Sequence, residues 1–253
     1  MTTHRFFVDA PIAQAAPLDA VVPIEGPEAA HAHVRRARQG ESVALLDGLG
    51  GVATGVIVSA GSKRDPVTVA VHGHQQHPPP APHIDVCAAV PQGDRADALV
   101  DLLSQAGADA WTPLWTDRAV VRPRSAKLDR LQRLAREACK QSGRPWLLRI
   151  GPESPPGTLL AHAASLTLIA DSAGEPIAAA ELAATARASA HIRVFVGPEG
   201  GWSPAERALF DHAPGGPARL VCLGPHTLRT EAAAFAAAAI LRALTAPAPP
   251  SDR

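Results

Sequence analysis

The chain has 253 residues, of which 46% are hydrophobic and 19% are charged, and its 24 basic residues balance its 24 acidic ones. This composition excludes an intrinsically disordered chain and is typical of a globular protein with one or two domains. No apolar run approaches the ~20 residues of a membrane helix, and the N-terminus lacks the apolar core of a signal peptide. We therefore expect a cytoplasmic protein that does not associate with membranes.

The first 72 residues are predicted to form a β-rich domain. Their apolar pattern indicates strands near 5–9, 43–46, 52–58 and 67–71, with a short helix near 27–38. The glycine-rich sequence DGLGG at 47–51 predicts a turn that joins two of these strands.

A segment rich in proline and histidine follows, with the sequence HGHQQHPPPAPH at 72–83. Its prolines favour an extended chain rather than a helix or a strand, so we interpret residues 73–83 as a linker between domains. A metal site at His72, His74 and His77 is the alternative. No cysteine or acidic residue accompanies these histidines, and the three cysteines of the chain stand singly, so we expect no bound metal.

From residue 84 onward, short apolar strands alternate with helices. We predict strands near 84–90, 110–114, 166–170, 192–196 and 219–223. The helices between and after them are predicted at 95–106, 128–142, 178–188, 204–212 and 231–244. This alternation predicts a parallel sheet with helices on both faces, in a domain that spans 84–246. The remaining residues, 247–253, are predicted to be a disordered tail.

The sequence FVGPEGGWSPAE at 195–206 predicts a tight corner between a strand and a helix. Its glycines let the backbone approach a ligand closely, and Ser203 with Glu206 has the spacing of a helix capping box. A second glycine corner at 223–224 and a loop at 171–174 also follow strands. Since ligands of parallel sheets bind beyond the carboxyl ends of the strands, the three loops predict one pocket. Neither corner has a dinucleotide or phosphate-loop motif, and a plain tight turn is the alternative.

Basic residues are concentrated between Arg118 and Arg149, where ten of them accompany two acids. On a helical wheel, Arg130, Arg133, Arg136 and Lys140 share one side of the predicted helix. Such a surface is typical of a nucleic-acid partner, although a solvated helix face is the alternative.

The two corners together carry a family resemblance. VGPEGGWSPAE, followed by LGPHTLRTEAAAFAAAAIL at 223–241, resembles the signature of the RsmE family of SPOUT methyltransferases. Members of this family methylate N3 of a uridine in 16S ribosomal RNA of the small subunit. The segments HRFFVD, VRRARQGESVALLDGLGG and REACKQSGR resemble other parts of the same family, so the likeness extends over most of the chain. The chain departs from the family at 102–107, at 116–119 and at His226.

The resemblance implies an α/β fold with a C-terminal SPOUT domain tied in a trefoil knot and an N-terminal PUA-like β-barrel domain. It also implies S-adenosylmethionine as cofactor, a homodimer formed through the knotted domain, and the small ribosomal subunit as partner. The residues expected to hold the cofactor are Gly197, Pro198, Glu199, Gly200, Gly201, Leu223, Gly224 and Leu228. The residues expected to contact RNA are Arg5, Arg36, Arg118, Arg133, Arg136, Lys140 and Arg144.

Arg229 and Glu231 are the predicted catalytic residues. Arg229 would stabilise negative charge on the uracil oxygens, and Glu231 would accept a proton or orient Arg229. The alternative is a structural ion pair at the start of a helix. Trp202 would pack in the core or stack on a base, and we favour packing. Two other functions stay open: a ribose 2′-O-methyltransferase of the same superfamily, and a non-catalytic factor that binds ribosomal RNA.

Overall fold

The computed structural model describes residues 4–61, 65–121, 125–162, 164–213 and 216–246. The predicted tail at 247–253 lies outside them. The chain divides into two compact units, the first comprising Met1–Pro79 with Arg136–Leu147 and the second comprising Pro80–Ala135 with Leu148–Arg253. Across the described residues, we find no helix with both the length and the apolar character that a membrane span requires.

The described part of the first unit contains one mixed sheet of five strands. These are β1 (His4–Phe7), β2 (Val21–Ile24), β3 (Ser42–Leu46), β4 (Gly51–Ser59) and β5 (Val67–Gln76). Their order is β1-β3-β4-β5-β2, with β1 parallel to β3 and the other neighbours antiparallel. Two helices, α1 (Ile12–Ala15) and α2 (Gly26–Val34), accompany the sheet.

The alternating pattern of these strands places one face of the sheet in the core. In β5, Val67, Val69 and Val71 are buried while the residues between them are half-buried. They pack in one cluster with Phe6 and Ile57 from two other strands. A period of two is the pattern of a strand with one buried face, so the β-rich character of this region is confirmed.

The prediction that the segment after residue 71 forms no strand is wrong for its first part. β5 continues through His74 to Gln76, pairing with the start of β4. The extended backbone that we read as a linker is therefore partly hydrogen-bonded sheet. Strand β2 was not predicted, because Pro23 interrupts its short apolar run; it pairs only with β5, at the edge where a proline is tolerated.

The second unit contains a parallel sheet of six strands among its described residues. These are β6 (His83–Ala89), β7 (Ala110–Leu114), β8 (Arg149–Ile150), β9 (Leu166–Pro176), β10 (His191–Val196) and β11 (Arg219–Cys222). Their order is β11-β9-β10-β6-β7-β8, and every neighbouring pair is parallel. The predicted parallel sheet is thus confirmed, and its inner strands are buried along nearly their whole length.

The helices that accompany this sheet are α3 (Arg95–Ala106), α4 (Ser125–Ser142), α5 (Pro156–Leu160), α6 (Ala180–Ala188), α7 (Pro204–Asp211) and α8 (Thr230–Thr245). Helix α3 ends as predicted at Gly107, whose φ of 82° is the left-handed conformation of a helix stop. Asp94 precedes α3, but its side chain makes no capping hydrogen bond. Helix α8 packs its buried alanines against α3 and β6.

The loop predicted at 171–174 is instead part of strand β9, which runs on to Pro176. Its register with β11 shifts between Leu220 and Val221, which is where the chain passes closest to Gly174. A Cβ at Gly174 would lie 2.4 Å from the backbone of Val221, so only glycine fits this crossing.

Candidate active site

A cavity of about 300 Å³ lies beside the middle of β9, where β10 and β11 end and helix α8 begins. Asp171 and Ser172 of β9 border the cavity. The corner after β10 contributes Gly197, Pro198, Glu199 and Gly201, and the corner after β11 contributes Leu223 and Gly224. The prediction that these three segments form one pocket is confirmed. The predicted cofactor residues that line it are Gly197, Pro198, Glu199, Gly201, Leu223, Gly224 and Leu228. Gly200 is not among the residues that line this cavity.

The capping box predicted at Ser203 and Glu206 holds the first corner in place. The Ser203 amide donates to Glu206 Oε2 at 2.8 Å, and the Glu206 amide donates to Ser203 Oγ at 3.2 Å. The same two side chains also bind the loop after β7. Glu206 Oε1 accepts the Asp117 amide at 2.9 Å, and Ser203 Oγ donates to Asp117 Oδ2 at 2.6 Å. This buried network fixes the corner that borders the cavity.

Packing explains the other residues of the corner. Trp202 is buried and its ring meets that of Phe210 edge to face, with centroids 4.9 Å apart. A Cβ at Gly197 would lie 3.0 Å from the Trp202 ring, so the glycine lets the indole lie against the backbone. The interpretation of Trp202 as a packing residue is confirmed. On the other side, Thr230 Oγ1 donates to the Gly197 carbonyl at 3.2 Å and ties α8 to the corner.

An acid and an arginine face each other at the rim of this cavity. Asp171 Oδ2 accepts a hydrogen bond from Arg207 Nη2 at 2.9 Å, and Asp171 Oδ1 accepts the Ala173 amide at 3.0 Å. The Asp171 side chain is 12% exposed, whereas that of Arg207 is 51% exposed. Helix α7 therefore contributes a cation that the sequence analysis did not assign to the site.

A second cavity, of about 430 Å³, borders the first. Three arginines from different segments line it: Arg95 from the start of α3, Arg118 from the loop after β7, and Arg229 from the start of α8. Gln92, Val120 and Gly200 complete its wall together with Glu199, which also lines the first cavity. Arg118 Nη1 donates to the Gly200 carbonyl at 2.8 Å, so this arginine is held against the corner.

The predicted catalytic pair is not an ion pair in the structure. Arg95 Nη1 lies 3.2 Å from Glu199 Oε1 and 3.8 Å from Glu231 Oε2, so Glu231 faces Arg95 instead of Arg229. The Glu231 side chain is 12% exposed, and its Oε2 accepts no hydrogen bond from the described residues. Arg229 is exposed and forms no hydrogen bond or ion pair within the part of the chain that the structure describes.

Arg95, like Arg207, is a site residue that the sequence analysis missed. It stands at the first position of a predicted helix, where the positive end of the helix dipole disfavours a cation. Glu199 and Glu231 offset this cost. A cation at a helix start, combined with two acids near predicted corners, was the signal available in the sequence.

The residues predicted to contact RNA fall into two groups. Arg36, Arg118, Arg133 and Arg136 are exposed. Arg136 nevertheless pairs with Asp9 at 2.8 Å and lies over the Phe7 ring. The second group consists of residues that are buried or half-buried: Arg5, Lys140 and Arg144. Arg5 donates to the carbonyls of the last turn of α4.

The placement of Lys140 on the exposed side of the helix is wrong. Its side chain is 5% exposed and its Nζ lies 2.9 Å from Glu28 Oε1 and 2.7 Å from Glu137 Oε1. The end of α4 belongs to the first unit, where Cys139 is buried with Phe7 and Leu46. A helical wheel does not show that this side of α4 contacts other segments of the first unit.

A buried polar cluster lies at the opposite end of the sheet, where β6 and β10 begin. Arg193 Nε donates to Asp85 Oδ2 at 3.1 Å, and the His83 and His191 rings meet edge to face at 5.1 Å. Burial lowers the pKa of His83, and burial followed by the charge of Arg193 lowers the pKa of His191. Both imidazoles are therefore disfavoured as cations in the folded unit.

The cysteines and histidines form no metal site in the described ranges, where no group of three or more ligating side chains is placed to hold an ion. The three cysteines are free thiols. Burial raises the pKa of the Cys139 thiol to about 11, and burial followed by the charge of Asp85 raises that of Cys87.

Comparison with known proteins agrees with both units. A family model described as an RNA methyltransferase domain matches residues 78–242, and one described as an RNA methyltransferase PUA domain matches residues 24–65. Ribosomal RNA small subunit methyltransferase E of Mycobacterium bovis is 33% identical over 238 residues, which cover 89% of this chain and 87% of the relative. The protein of the same name from Synechocystis is 30% identical over 216 residues, or 83% of this chain and 69% of the relative.

The fold leads to the same group. The crystal structure of ribosomal RNA small subunit methyltransferase E from Neisseria gonorrhoeae, bound to S-adenosylmethionine, matches this chain with a TM-score of 0.83 and 25% identity. The match covers 96% of this chain and 98% of that one. The predicted combination of a PUA-like N-terminal domain and an α/β SPOUT methyltransferase domain is confirmed. The chain therefore belongs to the ribosomal RNA small subunit methyltransferase E family of RNA methyltransferases.

Proposed function

We propose that the protein transfers the methyl group of S-adenosylmethionine to N3 of a uridine in 16S ribosomal RNA. The observation that carries this proposal is the cavity that the two glycine corners form with the middle of β9. The fold of the chain matches that of a family member whose crystal structure holds S-adenosylmethionine. The choice of N3 as the methylated atom rests on the family resemblance of the two corners.

The residues of the first cavity fit this cofactor. The volume of the cavity, about 300 Å³, lies in the usual range of small-molecule sites. Leu223 and Leu228 form an apolar part of its wall. Asp171 and Glu199 are acids at its border, which suits a cationic ligand. Gly201, with φ at 68°, exposes backbone without a side chain in the way. When bound, S-adenosylmethionine supplies an electrophilic methyl group on a sulfonium.

Arg229 is the residue that we propose acts on the transition state. It lines the second cavity and has no partner among the described residues, so its guanidinium is available to a substrate. Removing a proton from N3 of uracil places negative charge on the ring oxygens, and a fixed cation stabilises that charge. Glu231, which faces Arg95, is proposed to orient that arginine.

We propose that exposed arginines of each unit contact RNA: Arg36 and Arg136 in the first unit, and Arg118 and Arg133 in the second. Arg5 and Arg144 support the RNA-contacting surface of the first unit. Lys140 is left out because both acids beside it already compensate its charge. Phosphate contacts of this kind position an RNA without reading its sequence.

We further propose that the protein acts in the cytoplasm as a homodimer through a knotted C-terminal domain. The exposed Phe235 and Leu228, at 36% and 40%, support an apolar contact with a second copy near the start of α8. The knot rests on the family resemblance.

Single-turnover methylation by an Arg229→Ala variant tests the chemical role of that residue. Loss of one charged donor to the transition state costs about 10²–10³ in rate, while cofactor affinity measured by calorimetry should stay within about threefold. Arg187→Ala is the matched control, since Arg187 bonds only a carbonyl at the end of α8. An Arg229→Ala protein that melts normally and methylates at the wild-type rate would remove Arg229 from the catalytic residues.

A further inference from the structure

We propose that the second cavity receives the target nucleotide, that Glu199 accepts the proton of its ring nitrogen, and that Arg95 positions Glu199. This assignment rests on the proposed function, because it concerns the methyl acceptor of that reaction. It replaces Glu231, which the sequence analysis named as the candidate proton acceptor.

The location of Glu199 is the first support. Among the described residues that line the two cavities, Glu199 is the one that borders both. A methyl group passes directly between donor and acceptor atoms held in near-attack contact, so the acceptor must lie in space that adjoins the cofactor. The second cavity is that space, and Glu199 stands at its junction with the first.

The charge of the second cavity is the second support. Arg95, Arg118 and Arg229 bring three positive charges to it, against the single acid Glu199. Arg95 is paired with Glu199 and Arg118 with a carbonyl, which leaves Arg229 for an anion. Gln92 adds an amide that both donates and accepts hydrogen bonds. A nucleotide, with its phosphate and polar base edge, matches this lining.

Accessibility distinguishes Glu199 from Glu231. The Glu199 side chain is 46% exposed and lines both cavities, whereas that of Glu231 is 12% exposed and lines neither. Arg95 binds Glu199 Oε1, and no described residue donates a hydrogen bond to Oε2. One oxygen is therefore held and the other is available to a proton donor, which is the arrangement that a general base needs.

The transfer balances in atoms and charge. The N3–H bond of the uridine breaks and its proton passes to Glu199 Oε2, while the electron pair of that bond stays on N3. The N3–CH₃ bond forms as the S–CH₃ bond of the cofactor breaks, with its electron pair remaining on sulfur. The sulfonium cation and the carboxylate anion both become neutral, and the half-exposed Glu199 then releases its proton to water.

Arg95 acts through Glu199 as a positioning residue. Its Nη1 lies 3.2 Å from Glu199 and 3.8 Å from Glu231, and its Nε donates to the Gln92 carbonyl at 3.3 Å. The contacts with Glu199 at Nη1 and with Gln92 at Nε hold two different nitrogens of the guanidinium, so its plane is fixed. Lysine keeps the charge but not this geometry.

The pH dependence of single-turnover methylation, on small subunits from cells that lack this protein, tests the assignment. The wild-type rate should fall tenfold per pH unit in acid, where the general base is protonated. We expect Glu199→Gln to reduce the rate by about 10²–10⁴ at neutral pH and to abolish this acid limb. Glu231→Gln should keep the limb, and Glu181→Gln, an exposed acid on α6, is the matched control. A Glu199→Gln enzyme with the wild-type rate and limb would overturn the proposal, as would loss of the limb in Glu231→Gln alone.

Arg95 is tested with two variants in the same assay. Arg95→Ala should lower the maximal rate and shift the acid limb, while the KM for the subunit changes little. Arg95→Lys should restore part of the rate. An unshifted limb in Arg95→Ala, with a rate that follows only the folded fraction, would show a purely structural role and contradict the positioning role.

A binding readout that needs no methyl transfer completes the test. Ligand-observed NMR, with the protein alone, should detect uridine 5′-monophosphate but not its 3-methyl derivative, which lacks the N3–H donor. Glu199→Ala should lose this discrimination, and Arg229→Ala should lose binding of uridine 5′-monophosphate. Equal binding of both nucleotides by the wild type would overturn the assignment. If the wild type binds S-adenosylmethionine but methylates no uridine, the proposed function itself fails, and this result is distinct from an inert Glu199.

Discussion

Glu206 should be the residue whose loss most directly loosens the glycine corner at 195–206. The Glu206 side chain is buried and both of its carboxylate oxygens accept backbone amides, Oε2 from Ser203 at 2.8 Å and Oε1 from Asp117 at 2.9 Å. A hydrogen bond to a charged group contributes about 1.5–3 kcal/mol, so Glu206→Ala should destabilise the second unit by about 3–5 kcal/mol. Glu206→Gln keeps one acceptor and turns an amide donor toward the other amide, so about half of that loss is expected.

Thermal melting and hydrogen exchange measure this prediction. With about 2–4 °C per kcal/mol for a unit of this size, the Glu206→Ala transition should fall by about 6–20 °C. The amides of Asp117 and Ser203 should exchange at least ~10-fold faster in Glu206→Gln, since 1.4 kcal/mol corresponds to a factor of ten in local opening. Glu181→Ala, an exposed acid in the first turn of α6, is the control. If Glu206→Gln melts and exchanges like the wild type, the network does not hold the corner.

Four further predictions follow from the same contacts. Lys140→Met should destabilise the first unit by about 1.5–3 kcal/mol in urea unfolding, because Glu28, which is 20% exposed, loses its charged hydrogen-bond donor; an unchanged midpoint would contradict the ion pair. Arg133→Ala should leave melting unchanged but reduce the salt slope of RNA binding by about 0.7–0.9, and an equal slope would mark a solvated face. At pH 8 a thiol reagent should modify Cys222 before Cys139, because the Cys139 thiol has a pKa of about 11. S-adenosylmethionine should slow the modification of Cys222, because Cys222 lines the first cavity. Rapid reaction of Cys139 would refute its burial. Burial lowers the pKa of His191 in the folded state, so the unfolded state binds more protons below pH about 6.5. The free energy of unfolding should therefore fall as the pH is lowered from that value, and His191→Gln should flatten this loss. An identical pH dependence in the variant would exclude His191 as its source.

Local patterns in the sequence were sufficient for most of the fold. Alternating and continuous apolar runs located the main strands, and helix signals such as the stop at Gly107 located α3. The same reasoning placed the pocket, because parallel strands bring their carboxyl ends to one edge and the glycine corners lie there. These features depend on neighbours in the chain or on a general property of parallel sheets.

The features that were missed depend on contacts between distant segments. Residues 171–174 look like a loop, yet they lie within strand β9 because β11, almost 50 residues later, pairs with β9 on both sides of them, at Ile169 and at Glu175, across a register shift. Lys140 looks exposed on a wheel, yet Glu28 from α2 meets it in the first unit. A wheel contains the angles of one helix and no information about its partners.

The proposed catalytic residues show the same limit. Residues Arg229 and Glu231 were paired because they are neighbours in the chain, but helix α8 directs them to different surroundings. The partner of Glu231 is Arg95, which the sequence places 136 positions earlier. Only the packing of α3 beside α8 brings these charges together. Motifs thus located the residue types of the site, while the tertiary fold determined their partners.

Mass spectrometry of the nucleosides in 16S ribosomal RNA is the most direct test of the central claim. Small subunits from cells that lack the protein are incubated with the purified protein and S-adenosylmethionine, and their RNA is digested and analysed. We expect 3-methyluridine to appear at one site with the wild type and to be reduced by about 10²–10³ in initial rate with Arg229→Ala. A methyl group found on ribose, or no methylation by a protein that binds the cofactor, would contradict transfer to uridine N3.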